Sequence, residues 1–149
     1  LGLVYVPISD KKIVGFSSPG EPTPGLYALD IETGERRWKY SRGSRCPDLE
    51  CVFGFSAAII ASNDIVVAGS MDGILEVIAA ESGKRLWSHD SWRDYRSVNN
   101  VVTSGGAFDA HGAMIADDLL LVSSGYSYVG QQRGGNAFLV FQIGVDDEQ

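Results

Sequence analysis

The sequence predicts an all-β chain of stacked antiparallel sheets, and three observations predict it. The first is an internal repeat. "LYALDIETGERRW", Leu26 to Trp38, aligns without a gap on "LEVIAAESGKRLW", Leu75 to Trp87, with Thr33-Gly34 falling on Ser82-Gly83 and Trp38 on Trp87. A shorter third copy, "FLVFQI", runs from Phe138 to Ile143. The second is that an apolar run of strand length precedes each copy: "GLVYVP" from Gly2, "DIVVAGS" from Asp64 and "DLLLVSS" from Asp118. The third is composition: 44% hydrophobic and 21% charged residues with 18 glycines describe a globular chain rich in turns. A long repeat made only of short strands argues for sheets packed on one another and against a helical solenoid.

The elements of one unit follow from local chemistry. Tyr27-Ala28-Leu29 alternates across a strand, and Glu32-Thr33-Gly34-Glu35 makes a tight turn in which Gly34 takes positive φ. The next strand delivers Trp38, whose large indole is expected to lie against the neighbouring sheet with its N–H on a backbone carbonyl. The same reasoning assigns Trp87 to inter-sheet packing; stacking on a ligand is the alternative for both.

At 149 residues the chain fits one domain by length. Its formal charge of −7, with scattered basic residues, speaks against a nucleic-acid partner. No apolar run approaches the roughly 20 residues that span a bilayer. The chain begins at Leu1 without a signal peptide, which reads as a processed or excised piece. Its cysteines are Cys46 and Cys51, in "CPDLEC". They either close a small disulfide, worth about 2 kcal/mol, or remain free thiols. A metal site would want a second ligand pair, and the sequence has none. The disulfide reading points to an oxidising compartment, periplasmic or secreted.

The pattern A-x-D-x-x-T-G-x-x-x-W, at Ala28, Asp30, Thr33, Gly34 and Trp38, resembles the tryptophan-docking motif of quinoprotein β-propellers. The second copy departs from it with Val77, Ala79 and Ser82. The run from Cys46 to Ile143 is similar, more specifically, to the C-terminal blades of PQQ-dependent dehydrogenases of the polyvinyl-alcohol dehydrogenase type. The matching stretches are "GFSAAI", "GSMDGILEV", "SGKRLW", "SVNNV", "GGAFDAHG", "SSGY" and "GNAFLVF", in that order. The resemblance implies β-propeller blades, each a four-stranded antiparallel sheet with strands A to D, A innermost. It divides the chain into a partial blade over 1–45, a complete blade over 46–92 and a final blade over 93–149 that lacks its outermost strand.

Because each hairpin reverses the chain, A–B and C–D turns share one end of a blade, and B–C and D–A connections share the other. The short turns "ASND", "IADD", "ETGE" and "ESGK" all fall at the first end. The long segments, Pro7 to Gly25, Tyr40 to Phe55, His89 to Gly112 and Ser123 to Asn136, all fall at the second, where binding is expected. In the family that this chain resembles, the propeller axis holds PQQ, with Ca²⁺ and an aspartate acting as base. The resemblance therefore makes Asp109 a candidate base and calcium ligand, and His111 a candidate base or hydrogen-bond donor. Asn99 and Asn100 become candidate cofactor contacts, Asn99 also a metal ligand, Arg96 a partner for a cofactor carboxylate, and Ser56, at the start of the middle blade's inner strand, a cofactor hydroxyl. Gly105 and Gly106 are expected at close backbone approach beside the cofactor or in a positive-φ turn. For each, turn or surface chemistry is the plain alternative: Asp109 capping its own turn, His111 at a strand start, the asparagines as turn residues. His89 reads as a surface histidine, and "WRDYR", Trp92 to Arg96, as a substrate lip or a solvated loop. The sequence holds no CxxCH, so no covalently attached c-type haem is expected. Adjacent cysteines, which some quinoprotein alcohol dehydrogenases place beside the cofactor, are also absent from it.

The blades number about three, and three cannot close a ring that takes about four to eight. The expected partner is thus the remainder of the chain's own propeller, whose N-terminus would lend the missing D strand; self-association of partial rings is the alternative. The functional expectation is a segment of a PQQ- and calcium-dependent alcohol dehydrogenase, acting on an alcohol or polymer and passing electrons to an acceptor such as cytochrome c. The alternative is a non-catalytic propeller serving as a binding scaffold or accessory module. Open blade edges are adhesive. The isolated segment should therefore self-associate in light scattering, and a monodisperse monomer would refute this.

Overall fold

A computed structural model describes residues 1–10, 20–43, 45, 53–62, 64–127 and 132–144; Cys46 and Cys51 lie outside them. The described residues are all strand, turn and irregular chain, with no helix. The first sheet has the order β1 (Leu3–Ile8), β2 (Gly25–Asp30), β3 (Arg36–Tyr40). The second is four-stranded: β4 (Ile60–Ala61), β5 (Ile65–Gly69), β6 (Ile74–Ala79), β7 (Arg85–Asp90). A separate hairpin pairs β8 (Asp94–Arg96) with β9 (Val102–Ser104). The third sheet is β10 (Met114–Ala116), β11 (Leu119–Ser124), β12 (Ala137–Gln142). All of these strand pairs are antiparallel.

The repeat holds at the level of hydrogen bonds. Gly34 and Gly83 take φ of 72° and 71°. The N–H of each donates to the fourth residue before it, Asp30 or Ala79, at 2.9 Å, and the turns close with Asp30 N–H on Glu35 and Ala79 N–H on Lys84, both at 2.8 Å. In the first turn the Asp30 carboxylate also accepts from the Thr33 and Glu32 N–H groups at 3.0 Å. Those two bonds hold its carboxyl below the usual range, with help from Arg37.

The two central strands of the middle sheet are buried on both faces, which is why β5 reads as apolar throughout and β6 as apolar except for Glu76. Val66, Ala68 and Ile78 join Leu26, Phe53, Phe55 and Ala80 in a core with the first sheet. Val67 and Leu75 join Phe108, Leu120, Val122, Ala137 and Leu139 in a core with the third. At the first seam the Trp38 indole N–H donates to the Ala80 carbonyl at 3.0 Å, and the Tyr5 hydroxyl donates to the same oxygen at 3.1 Å. At the second seam Trp87 behaves differently. It is 38% exposed, stacks on His89 at 5.9 Å and meets Phe141 edge-on at 5.1 Å. An apolar cleft of about 500 Å³ opens there, lined by Val67, Val77, Trp87, Leu120, Val140 and Phe141 among others. Among the described residues β12 has only β11 as a neighbour, and it leaves Phe138 63% and Val140 52% exposed.

Two features differ from the reading of the sequence. The innermost strand of the second sheet is only Ile60–Ala61, so Ser56 lies ahead of it and not at its start. The preceding residues pair elsewhere: Phe55 N–H donates to Ile8 and the Gly54 carbonyl accepts from Met71. The segment from His89 to Gly112 also holds the β8–β9 hairpin, where only a loop was expected.

Substitutions at the two equivalent glycines separate the indole seat from the backbone. A Cβ at Gly83 would lie 2.8 Å from the Trp38 ring, whereas one at Gly34 meets nothing within 4 Å. Both changes incur the positive-φ cost of about 1 kcal/mol, but Gly83→Ala should lower the thermal midpoint of the full-length polypeptide several degrees further than Gly34→Ala. Equal shifts would show that the indole seat tolerates a methyl group.

Candidate functional site

The long connections gather where β5–β6, β7 and β11 end, and the segment Gly105 to Asp109 is threaded through that end. All five residues are buried. The Gly105 N–H donates to Arg93, Ala107 N–H to Arg133, and Phe108 N–H to the Ser70 carbonyl at 3.1 Å. The Ser91 hydroxyl lies 2.8 Å from both the Gly73 and the Gly106 carbonyl oxygens. Ser124 Oγ accepts the Gly106 N–H at 2.9 Å. The glycines are there for close approach: a Cβ would stand 2.0 Å from the Ser91 oxygen at Gly105 and 2.2 Å from the Arg133 oxygen at Gly106. Neither has positive φ.

Asp109 ends this buried run at 8% exposure. His111, two residues on, is exposed and tilts against Tyr126 at 4.9 Å. Asn99 and Asn100 occupy the exposed tip of the β8–β9 hairpin, where Asn100 takes φ of 62° and Asn99 accepts from the Ser97 hydroxyl. Arg96, on β8, and Ser56, ahead of β4, are exposed. Chain continuity thus keeps Asp109, His111 and the two glycines together, with the asparagines and Arg96 on the adjoining hairpin.

The hairpin is anchored on its other side by aromatic and charged contacts. The Arg45 and Arg133 guanidiniums stand 5.1 and 5.8 Å from the Trp92 ring, and Arg45 pairs with Asp90 at 2.6 Å. Burial pushes the Asp90 carboxyl up, but the Arg45 hydrogen bond, the Trp92 N–H and the charges of Arg45 and Arg93 outweigh it and bring it below the usual range. His89 is half-buried, not a surface residue, and it bonds the Tyr95 hydroxyl at 2.9 Å. Burial, then the Arg93 charge, lowers its pKa.

A cluster that the sequence reading missed lies beside this segment. Asp72, in the β5–β6 turn, and Glu76, on β6, have no exposed surface. Arg42, from the connection after β3, grips Asp72 with both terminal nitrogens at 2.8 and 2.7 Å, reaches Ser70 Oγ at 2.9 Å and Glu76 at 3.4 Å. Burial disfavours the Arg42 charge, yet the two carboxylates outweigh it and raise its pKa. The Tyr40 hydroxyl donates to Glu76 at 2.5 Å. The readable signal was Glu76 itself, an acid in the middle of the apolar strand "ILEVIA". Breaking such a buried pair by removing one partner costs about 3–5 kcal/mol.

Among the described residues no group of three or more His, Cys, Asp or Glu side chains comes together to hold a metal. Asp72 and Glu76 are already engaged by Arg42, and the asparagines sit at an exposed hairpin tip.

Tyr40 gives the cluster a pH signature. Burial, then the hydrogen bond to Glu76 and its charge, pushes the phenol from 10.0 to about 12. The folded state thus favours the neutral phenol. That stabilisation is complete below pH 10 and is lost as pH rises from 10 towards 12. Denaturant midpoints of the full-length polypeptide should fall across this window, less steeply in Tyr40→Phe; identical slopes would rule the contribution out.

The comparisons with known proteins agree with this architecture. The polyvinylalcohol dehydrogenase of Sphingopyxis sp. (strain 113P3) is 31% identical over 142 residues, covering 90% of this chain and 21% of that protein. The polyvinylalcohol dehydrogenase of Pseudomonas sp. is 34% identical over 152 residues, covering 94% and 23%. The quinohemoprotein alcohol dehydrogenase ADH-IIG of Pseudomonas putida is 33% identical over 113 residues, covering 65% and 16%. The chain spans about a fifth of the length of the first two. The family model described as outer membrane protein assembly factor BamB matches residues 4–138, through all three sheets, and the chain belongs to this family of PQQ-like β-propeller repeats.

Proposed function

We propose that the chain is a segment of a PQQ-dependent alcohol dehydrogenase propeller of the polyvinyl-alcohol type. Its blades divide at about 1–45, 46–92 and 93–149, and the remainder of the same polypeptide completes the ring. The observation that carries the reading is the buried Gly105–Asp109 segment, which brings a carboxylate to the long-loop end of the sheets on a backbone fixed at both sides. Relatives over nine-tenths of the chain are alcohol dehydrogenases, which supports the same reaction class. In this reading Asp109 accepts the substrate hydroxyl proton, with His111 beside it at the solvent boundary. Arg96, Asn99 and Asn100 on the hairpin and Ser56 contact the cofactor, and the Gly105–Gly106 backbone fixes the wall of its site. PQQ, when bound, supplies the electron sink and Ca²⁺ the polarising charge; most of their ligands lie outside this chain. The substrate is an alcohol or hydroxylated polymer, the electron acceptor a protein such as cytochrome c, and the compartment periplasmic or extracellular.

The test is a PQQ titration of the full-length polypeptide with calcium present, followed by tryptophan fluorescence. Saturable quenching that Asp109→Ala weakens tenfold or more is expected. Absence of quenching would favour the scaffold reading, which the family's description as an assembly factor also supports.

A further inference from the structure

Arg42 lies outside "GGAFDAH", yet its contacts lead to it. Its two terminal nitrogens hold Asp72, and one of them also donates to Ser70 Oγ at 2.9 Å, so a single guanidinium braces the first and third residues of the turn that begins at Ser70. Ser70 Oγ in turn donates to Asp72 at 2.6 Å. The buried segment hangs from this same turn at two points. Phe108 N–H donates to the Ser70 carbonyl, and Phe108 lies so close over Gly69 that a Cβ there would stand 2.6 Å from it. The Gly73 carbonyl accepts the Ser91 N–H at 2.9 Å and meets the Ser91 hydroxyl that also reaches Gly106. Asp109 is the next residue in the chain. The path from Arg42 to Asp109 is therefore a salt bridge, a four-residue turn and one backbone hydrogen bond.

We propose that Arg42 is a positioning residue for Asp109, acting through the Ser70–Gly73 turn; the functional part of this inference rests on the reading of Asp109 given above. The physical reason is the burial of Asp72. A carboxylate with no exposed surface that loses its guanidinium must gain water or a proton. The turn can admit water only by moving, and its movement carries Phe108 and the residue after it. The counterpart at the other end of the first seam, Trp38 on Ala80, has no such connection, because it joins the β6–β7 turn instead.

The test uses amide hydrogen exchange on the full-length polypeptide, which reads the segment whether or not cofactor is bound. Arg42→Met should raise exchange at Ala107 and Phe108 by about tenfold while the Asp30–Glu35 turn keeps its rate. Removing all three charges, Arg42→Met with Asp72→Asn and Glu76→Gln, should return Ala107 and Phe108 most of the way to the parent rate. A folded Arg42→Met protein with parental exchange at these amides overturns the proposal. So does a triple variant no better protected than the single one, since the burial of an unpaired charge would then not be the cause. Where Arg42→Met does not fold, Arg42→Lys, which keeps the charge but loses the two-pronged grip, should raise the same rates severalfold, and unchanged rates would overturn the proposal. In the PQQ titration Arg42→Met should weaken binding without changing its stoichiometry. A parent polypeptide that binds no PQQ removes the functional reading of Asp109 but leaves the exchange result to decide the coupling.

Discussion

A carboxylate without exposed surface sits in the β5–β6 turn, and the arrangement around it depends on Arg42 coming across from the first sheet to meet it. Burying a charge is tolerable only when it is paired and hydrogen-bonded, and Asp72 meets both conditions through one guanidinium and the Ser70 hydroxyl. The consequence is geometric. Arg42 ties the residues just after β3 to the second sheet, so the first seam is held at the end where the long connections lie. Phe53 adds to this by offering its ring to the same guanidinium at 4.7 Å. Because the turn is fixed from the first seam, it can serve as the anchor for the second, where Ser70 and Gly73 receive the buried segment.

The two seams solve the same packing problem differently. At the first, Tyr5 and Trp38 converge on the Ala80 carbonyl, their rings 5.7 Å apart. At the second, Val67 stands opposite Val77 as Tyr5 stands opposite Ala28. Valine brings no ring or hydroxyl, and Trp87 turns its face to His89 instead. What remains is the cleft, bordered by β12, whose outer edge no strand among the described residues pairs. In place of a tryptophan tie, the second seam is held at its other end by backbone bonds to Gly105–Phe108, whose two glycines permit contacts that any Cβ would block.

The same division sets what each part can contribute to function. The twisted sheets and their short turns are a frame, while the carboxylate at Asp109, the hairpin with its asparagines, and the Arg45–Trp92–Arg133 contacts all belong to connections. Functional groups on connections held by a rigid frame are the usual arrangement in repeat folds. The relatives align with most of this chain, although they extend well beyond it.

By itself the sequence determined the repeat, the strand runs, the Gly34 and Gly83 turns and the all-β class. These are properties of contiguous residues: alternation of apolar side chains, a glycine where φ must be positive, an indole a fixed distance after a turn. Only the tertiary structure decided what lies between the sheets. Arg42 and Asp72 are thirty residues apart and neither announces the other. Asp109 and His111 look alike in "FDAHG", yet one is buried and the other exposed, because packing against Ser70, Ser124 and Arg133 ends between them. The glycine pair was legible as a point of close approach, but the carbonyls it approaches, on Ser91 and Arg133, come from separate connections. The hairpin around Asn99 and Asn100 was missed for a local reason: its strands are three residues each, too short for their alternation to stand out.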